Sequence, residues 1–455
     1  DRMINSPIKA EDLSTEFSVV RNEFERGENN PIGVLFQRLA SAAYDWHNYG
    51  KSTIGNRTDI ERVPVENLRE FYKKYYQPDN AMLVVAGKFD EAKAKEYVEK
   101  YFGPIPKPER KLPKTYTEEP PQDGERVVTL RRVGDVGVVG LAYHIPSGPQ
   151  ADFPALEVLA DVLSSQPSGR LYKALVETRK AASVGGFASP SHDPGLFMIL
   201  ARVNTKDRAE LEGVRDVIFA ELKKVADEGV TEEEVGRAVR RHLKNFEMQA
   251  SDPNSIALEL SEWAAQGDWR LYFLSRDRME KVTADDVKRV AAAYFEPSNR
   301  TVGFFIPSEK PERTEIPPNP DVAKLVADYK GRESKATGET FDVRPEAIEA
   351  RVQRPAPIEG VKLALLPKKT RGESVNLTVT LRYGDAESLK GLTTAAEFLP
   401  GLMARGGTKG YSKQEFQDEL DKNYVQLRPM GGVGVIGFSL ETKRANLPAA
   451  LELLR

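Results

Sequence analysis

The chain has 455 residues, 40% hydrophobic and 30% charged, a globular composition long enough for about three domains. Its 66 Lys and Arg against 69 Asp and Glu leave a net charge of −3, no footprint for nucleic acid or an anionic membrane, and no run of about 18 apolar residues marks a membrane span. Zero cysteines exclude disulfides, thiolate zinc sites and cysteine nucleophiles, and leave the compartment open.

The first predicted element is an amphipathic helix over Asp12 to Phe24, with Leu13, Phe17, Val20 and Phe24 as its apolar stripe. Glu16 and Glu23 lie seven residues apart on it. At about 100° per residue they project within roughly 20° of each other, on the edge of that stripe. Carboxylates there are expected to be partly desolvated, and a desolvated carboxylate requires an ion pair, a hydrogen bond or a metal. The alternative is a pair of solvated residues on a helix flank.

Further on, a capped helix from Ile60 through Phe71, an aromatic pair and Pro-x-Asn turn at Tyr75 to Asn80, and a strand-like run Ala81 to Gly87 form one unit. It recurs about 219 residues later as Met279 to Val290, Tyr294 to Asn299 and Arg300 to Ile306. A second echo links a strand at 139–144, helices near 154–163 and 171–178 and a strand at 196–203 to 375–381, 392–403, 413–420 and 433–440. Thr205-Lys206 and Thr442-Lys443 end the two sets. The chain therefore reads as α+β, with three copies of one module in which helices cover a mixed or antiparallel sheet. Linkers rich in Pro and charge fall at 104–124, where extended chain is favoured over packing, and at 309–360, where only a short helix near Val322 to Tyr329 is expected. Opening at Asp1 into a helical pattern and closing at Arg455 inside another, the sequence reads as an internal piece of a longer protein.

The Glu-x6-Glu pair with the stretch Asn22 to Pro31, the Tyr-Tyr-x-Pro-x-Asn segment between Phe71 and Gly87, and Ser168-Gly169-Arg170-Leu171-Tyr172 resemble the insulinase/pitrilysin family of zinc metallopeptidases. The resemblance spans essentially the whole chain. It implies four homologous modules in two halves that close like a clamshell around an unfolded peptide. Residues 1–103 would be the C-terminal part of a first, catalytic-type module, 104–124 a linker and 125–308 the second module. Residues 309–360 would join the halves, and 361–455 would open a third, degenerate module.

In that family two His of an H-x-x-E-H helix and a downstream Glu hold zinc. The resemblance gives Glu23 the metal-ligand role and Glu16 a supporting role in the catalytic site. The chain itself contains no H-x-x-E-H: His47, His144, His192 and His242 are isolated and read as structural. In the third module Glu397, Pro400 and Gly401 stand where His, Glu and His would be needed. The implied function is a zinc-dependent metalloendopeptidase acting on unfolded peptides or small proteins, with one Zn2+ per full-length chain and this fragment inactive alone. The alternative is a non-catalytic homologue serving as a binding or assembly subunit. Implied partners are a peptide substrate and a second copy or homologous subunit, with no nucleic acid and no membrane span. The implied compartment is the periplasm.

Overall fold

In the computed structural model, which describes residues 2–114, 116–310, 313–332 and 337–455 apart from the side chains of Ser14 and Ala404, helices come first. They are α1 (Ala10–Glu28), α2 (Pro31–Ala43), α3 (Arg57–Arg62), α4 (Val65–Tyr75) and α5 (Glu91–Phe102). The α1–α2 junction follows from Asn30 and Pro31. The Asn30 side chain accepts from the Ile32 and Gly33 amides at 3.1 and 3.2 Å, and Pro31 occupies a first-turn position where no donor is needed.

A five-stranded sheet follows, built from β1 (Arg126–Val133), β2 (Gly137–Ile145), β3 (Ser183–Ala188), β4 (Gly195–Val203) and β5 (Arg300–Ser308) in the order β1-β5-β2-β4-β3. Only the β1–β5 pairing is parallel. Between β2 and β3 lie α6 (Phe153–Ser164) and a π-helical turn at Tyr172–Glu177. Between β4 and β5 run α7 (Arg208–Glu228), α8 (Glu232–Ser251), α9 (Pro253–Ala265), α10 (Leu271–Met279) and α11 (Ala284–Tyr294). Side chains alternate across a strand, so β2 feeds two cores at once. Val139, Leu141 and Tyr143 meet α6, α7 and α11 on one face, whereas Val138 and Ala142 meet α2 on the other.

The α2 face is shaped by a glycine pair. Gly140 of β2 and Gly303 of β5 are direct partners across the ladder. A Cβ on Gly140 would stand 2.5 Å from Leu39 Cδ1, and one on Gly303 would stand 2.9 Å from both Leu35 Cδ1 and Leu39 Cδ2. The missing side chains leave a socket that Leu35 and Leu39, both fully buried, fill.

The sequence repeat is reproduced in its hydrogen bonds. Asn80 Nδ2 donates to the Tyr75 carbonyl at 3.0 Å, and Asn299 Nδ2 to the Tyr294 carbonyl at 2.8 Å, so each Pro-x-Asn turn closes the end of its helix. Asn299 also reaches the His144 carbonyl at 2.9 Å. A further echo emerges in space: α1–α2 and α8–α9 are helix pairs joined at Asn30-Pro31 and Asp252-Pro253, each Asx side chain capping the second helix. The copies part at the strand. β5 is hydrogen-bonded on both sides, but residues 81–86 join no ladder among the described residues, and Met82, Leu83 and Val85 are exposed. The expected strand there is corrected to irregular chain, because a lone segment with no neighbouring strand has no ladder to enter. The expected helix near 171–178 is largely π-helical, and the sequence reading omitted β3, whose Gly185-Gly186 weakens any strand signal.

The 104–124 stretch also departs from the expectation of unpacked chain. Arg110 grips Asp79 through two bonds of 2.9 and 3.0 Å. Glu119 accepts three successive backbone amides, Asp45, Trp46 and His47, at 2.6, 3.0 and 2.9 Å. Gln122 is buried and donates to the Gly124 and Arg300 carbonyls at 2.7 and 2.8 Å. Proline removes donors from such a segment, and polar side chains make the attachments instead.

Two compact units are present, Asp1–Ile316 and Pro317–Arg455. The second contains α12 (Val322–Val326), α13 (Pro345–Arg351), β6 (Ser374–Arg382), α14 (Thr393–Arg405), α15 (Lys413–Lys422), β7 (Gln426–Gly432), β8 (Val435–Lys443) and α16 (Leu447–Leu454). Its antiparallel sheet has the order β6-β8-β7, with Phe416, Leu420, Val425, Leu440 and Ala450 as core. β7 was not foreseen, since Pro429, Gly431 and Gly432 argue against a strand.

Two outcomes are expected. Leu39→Ala empties the socket and should lower unfolding free energy in urea by about 2–5 kcal/mol; a loss below about 1 kcal/mol would mean that the socket carries little of the packing. Glu119→Ala strands three amides and should cost about 1.5–3 kcal/mol. Burial alone would raise the Glu119 carboxyl, but the three amides hold it below the usual carboxylate range. Its contribution is therefore present above the ordinary value and lost as pH falls through the lowered one. A wild-type-minus-variant difference in thermal stability that grows on acidification would contradict this.

Candidate functional site

Glu16 and Glu23 both lie on α1, which packs against α2 and α3. Seven residues of helix separate them by about 10 Å along the axis, so they cannot both ligate one ion directly. Both carboxylates are exposed, contrary to the expected partial desolvation. The cause is that Leu13, Phe17, Val20 and Phe24 are themselves only half-buried, so the edge of the stripe opens to water. Other carboxylates of the same helix are engaged: Glu28 is 2.8 Å from Arg132, Glu25 4.0 Å from Arg21, and Glu11 3.4 Å from Lys9. Glu16 and Glu23 make no ion pair among the described residues.

No group of three His, Asp or Glu side chains that could hold a metal ion occurs among the described residues. Glu23 can contribute one donor, and the described residues do not complete a zinc site. The histidines are occupied locally. His47 Nδ1 accepts from the Tyr49 amide at 3.2 Å, which leaves the proton on Nε2, 3.2 Å from Asp193 Oδ2. His144 Nε2 donates to the Ala43 carbonyl at 2.9 Å, and burial lowers its pKa. His192 Nδ1 lies 3.0 Å from Asp193 Oδ1. His242 Nε2 is 3.3 Å from Asp161 Oδ2. In the second unit Glu397 is exposed on α14, with Pro400 buried beneath it.

A cavity of about 560 Å³ lies beside α2, between the 48–54 loop and the 189–196 turn. Phe36, Tyr44, Ile54 and Leu196 give it apolar walls, while Gln37 and Lys51 bring polar groups. Tyr44 donates its hydroxyl to the Pro194 carbonyl at 3.0 Å, and burial raises its pKa. Glu119 fixes the backbone at Asp45 to His47, where the wall of the cavity turns. The sequence reading missed both features. Glu119 sits in an unremarkable Glu-Glu-Pro-Pro run, and the cavity assembles from segments about 150 residues apart, as Tyr44 and Pro194 show.

Residues 62–241 match the peptidase M16 inactive domain. Over 304 residues the chain is 27% identical to the zinc protease PqqE of Helicobacter pylori, covering 66% of this chain and 68% of that protein. A crystal structure of a protease from Helicobacter pylori is similar at a TM-score of 0.63 and 27% identity, covering 66% of this chain and 73% of that one. The periplasmic protease PqqL of Escherichia coli is similar at a TM-score of 0.53 over 99% of this chain, which spans 53% of that one; at 14% identity the likeness is one of fold. No helix among the described residues is long and apolar enough to cross a membrane. By its inactive-domain match, its zinc-protease relatives and its fold, the chain belongs to the peptidase M16 family, the insulinase-type family that its sequence resembles.

Proposed function

We propose that this chain is part of a zinc-dependent metalloendopeptidase that hydrolyses peptide bonds in unfolded peptides. Glu23 supplies one carboxylate ligand and Glu16 steadies the site from the neighbouring turns. The supporting observation is that, on a helix whose Glu11, Glu25 and Glu28 have cationic partners, Glu16 and Glu23 share one face with no ion pair among the described residues. Zinc, when bound, supplies a Lewis acid and an activated water. The residues present here position one donor, and the cavity beside α2 offers apolar walls to a peptide side chain. The modules run 1–103, 125–308 and from 361, with linkers 104–124 and 309–360, a division supported by the internal repeat. The periplasm suits the reading, as PqqL of Escherichia coli is described as periplasmic. A second copy or a homologous subunit is the proposed protein partner.

The second reading, a non-catalytic subunit, is favoured by the match to an inactive domain over residues 62–241. Metal content separates the two. Full-length protein is expected to hold about one zinc ion, and Glu23→Gln to lose it while far-UV circular dichroism and the unfolding temperature stay unchanged. Glu16→Gln should weaken zinc binding by about 10–100-fold. Unchanged zinc content in Glu23→Gln would overturn the ligand assignment, and a zinc-free, inactive full-length protein would establish the subunit reading.

A further inference from the structure

We propose that Glu157 and Asp161 on α6 and His242 on α8 form a proton-operated clamp, which holds the distal half of α8, with α9 packed on it, to α6 in mildly acidic medium and loosens both as the pH rises past neutrality. Glu157 and Asp161 are four residues apart and therefore share a face of α6. Asp161 Oδ2 and His242 Nε2 approach to 3.3 Å, both atoms buried and neither in a well-aligned hydrogen bond. Their attraction is thus one of charge, and it depends on the imidazole carrying a proton.

The surroundings sharpen that dependence. From α8, Arg241 lies 3.6 Å from Asp161 Oδ1, which also accepts from the Ser165 hydroxyl at 2.9 Å. Glu234 and Arg237 border the same side of Asp161 but are bound to Arg170 and Glu233. From α9 comes Glu259, held by Gln249 at 3.0 Å, with Glu262 beside it. From α10 comes Tyr272, whose hydroxyl rests 3.5 Å from the Phe246 carbonyl, and Arg276, engaged by Asp277. α11 brings Arg289, engaged by Asp152 at 2.9 Å, and β3 brings no ionisable side chain. Below neutrality an uncharged Glu157 adjoins an Asp161–imidazolium pair. Above it, Glu157, Asp161 and Glu259 are three carboxylates facing one guanidinium and a neutral imidazole.

The direction of each titration agrees. Burial, with Asp161 and Glu259 adding to it against the pull of His242, pushes Glu157 from 4.5 up to about 7. Burial opposes charge on His242, but Asp161 and Glu157 more than offset it and raise its pKa above 6.5. Burial likewise opposes charge on Asp161, yet His242, Ser165 and Arg241 leave its pKa lowered, so it stays ionised throughout. Groups with raised folded values contribute stability that is complete below their ordinary values and lost as pH rises through the folded ones. For Glu157 that window runs from 4.5 to about 7, and for His242 it opens at 6.5.

Packing decides which segment responds. The start of α8 is fixed by buried Val235 and Ala238, by a Thr231–Glu234 capping box and by the Glu234–Arg170 pair. Beyond Ala238, α8 and α9 fully bury only Trp263. A segment so thinly packed opens at low free-energy cost when its ionic anchor weakens.

Amide hydrogen exchange on the 455-residue chain tests the clamp, with peptides covering 243–265 compared with β2 and β4 after correction for intrinsic rates. Between about pH 6 and about pH 8, protection of 243–265 relative to the strands should fall about tenfold. Glu157→Gln removes one of the two titrating groups and should lessen the fall to about threefold or less, the remainder being the loss of the imidazole proton. His242→Gln removes the cation and should be poorly protected at both. The two variants act in opposite directions, so misfolding of either leaves the other decisive. A wild-type ratio that does not change with pH, or a tenfold fall retained in Glu157→Gln, would overturn the proposal.

Discussion

Everything in residues 1–316 is organised by two leucines seated on a floor made by two glycines. A sheet normally presents side chains that hold a helix axis roughly 10 Å away. By omitting Cβ at Gly140 and Gly303, β2 and β5 let Leu35 and Leu39 of α2 descend between them. One sheet thereby carries two cores, and α2 becomes as firmly placed as a strand. α1 inherits that placement through the Asn30 junction and the Glu28–Arg132 pair to β1. Glu16 and Glu23 thus stand on a helix aimed by the five-stranded sheet. Gly140 falls within the stretch that matches the peptidase M16 inactive domain, and through α2 it helps to place α1.

The likenesses between the two segments have a local cause, and pairing explains the differences. The Asn80 and Asn299 side chains do the same work at the ends of α4 and α11. The chain then becomes a central strand in one copy and irregular in the other, although both runs are apolar. Local sequence sets the turn; a strand also requires a neighbouring strand, because backbone donors and acceptors need a ladder to enter. The same distinction separates Leu83 and Val85, which remain exposed, from Val302 and Phe304, which are buried.

Features whose cause lies within a few residues were legible from sequence. α1 and α4 follow from apolar spacing, α11 and α15 from apolar spacing and capping boxes, and β2, β4 and β5 from apolar runs bounded by turn residues. β3 and β7 escaped because Gly185-Gly186 and Pro429 with Gly431-Gly432 mask strands that exist through pairing with β4 and β8. The glycine socket could not be read either, since it joins positions far apart in sequence whose register only the sheet defines. At the candidate site, periodicity placed Glu16 and Glu23 on one helical face. Their exposure was not legible, because it depends on how much of the α1 stripe other helices cover.

On the proposed module division, α6 and α14 are the first helices of the second and third modules. α6 begins at Phe153 and α14 at Thr393, and counted from those starts Glu157 corresponds to Glu397, Ala160 to Pro400 and Asp161 to Gly401. The resemblance places two histidines and a glutamate at these positions in a catalytic module, where an ion would draw the helix toward its opposite ligand. On α14 Glu397 is exposed and Gly401 offers no side chain. On α6 the paired carboxylates face His242, an arrangement in which a protonated imidazole takes the place of the cation. Charge pairing between α6 and α8 is thereby made by side chains of the protein itself. It also exchanges a bound ion, largely insensitive to small pH changes once its ligands are deprotonated, for a proton that comes and goes near neutrality.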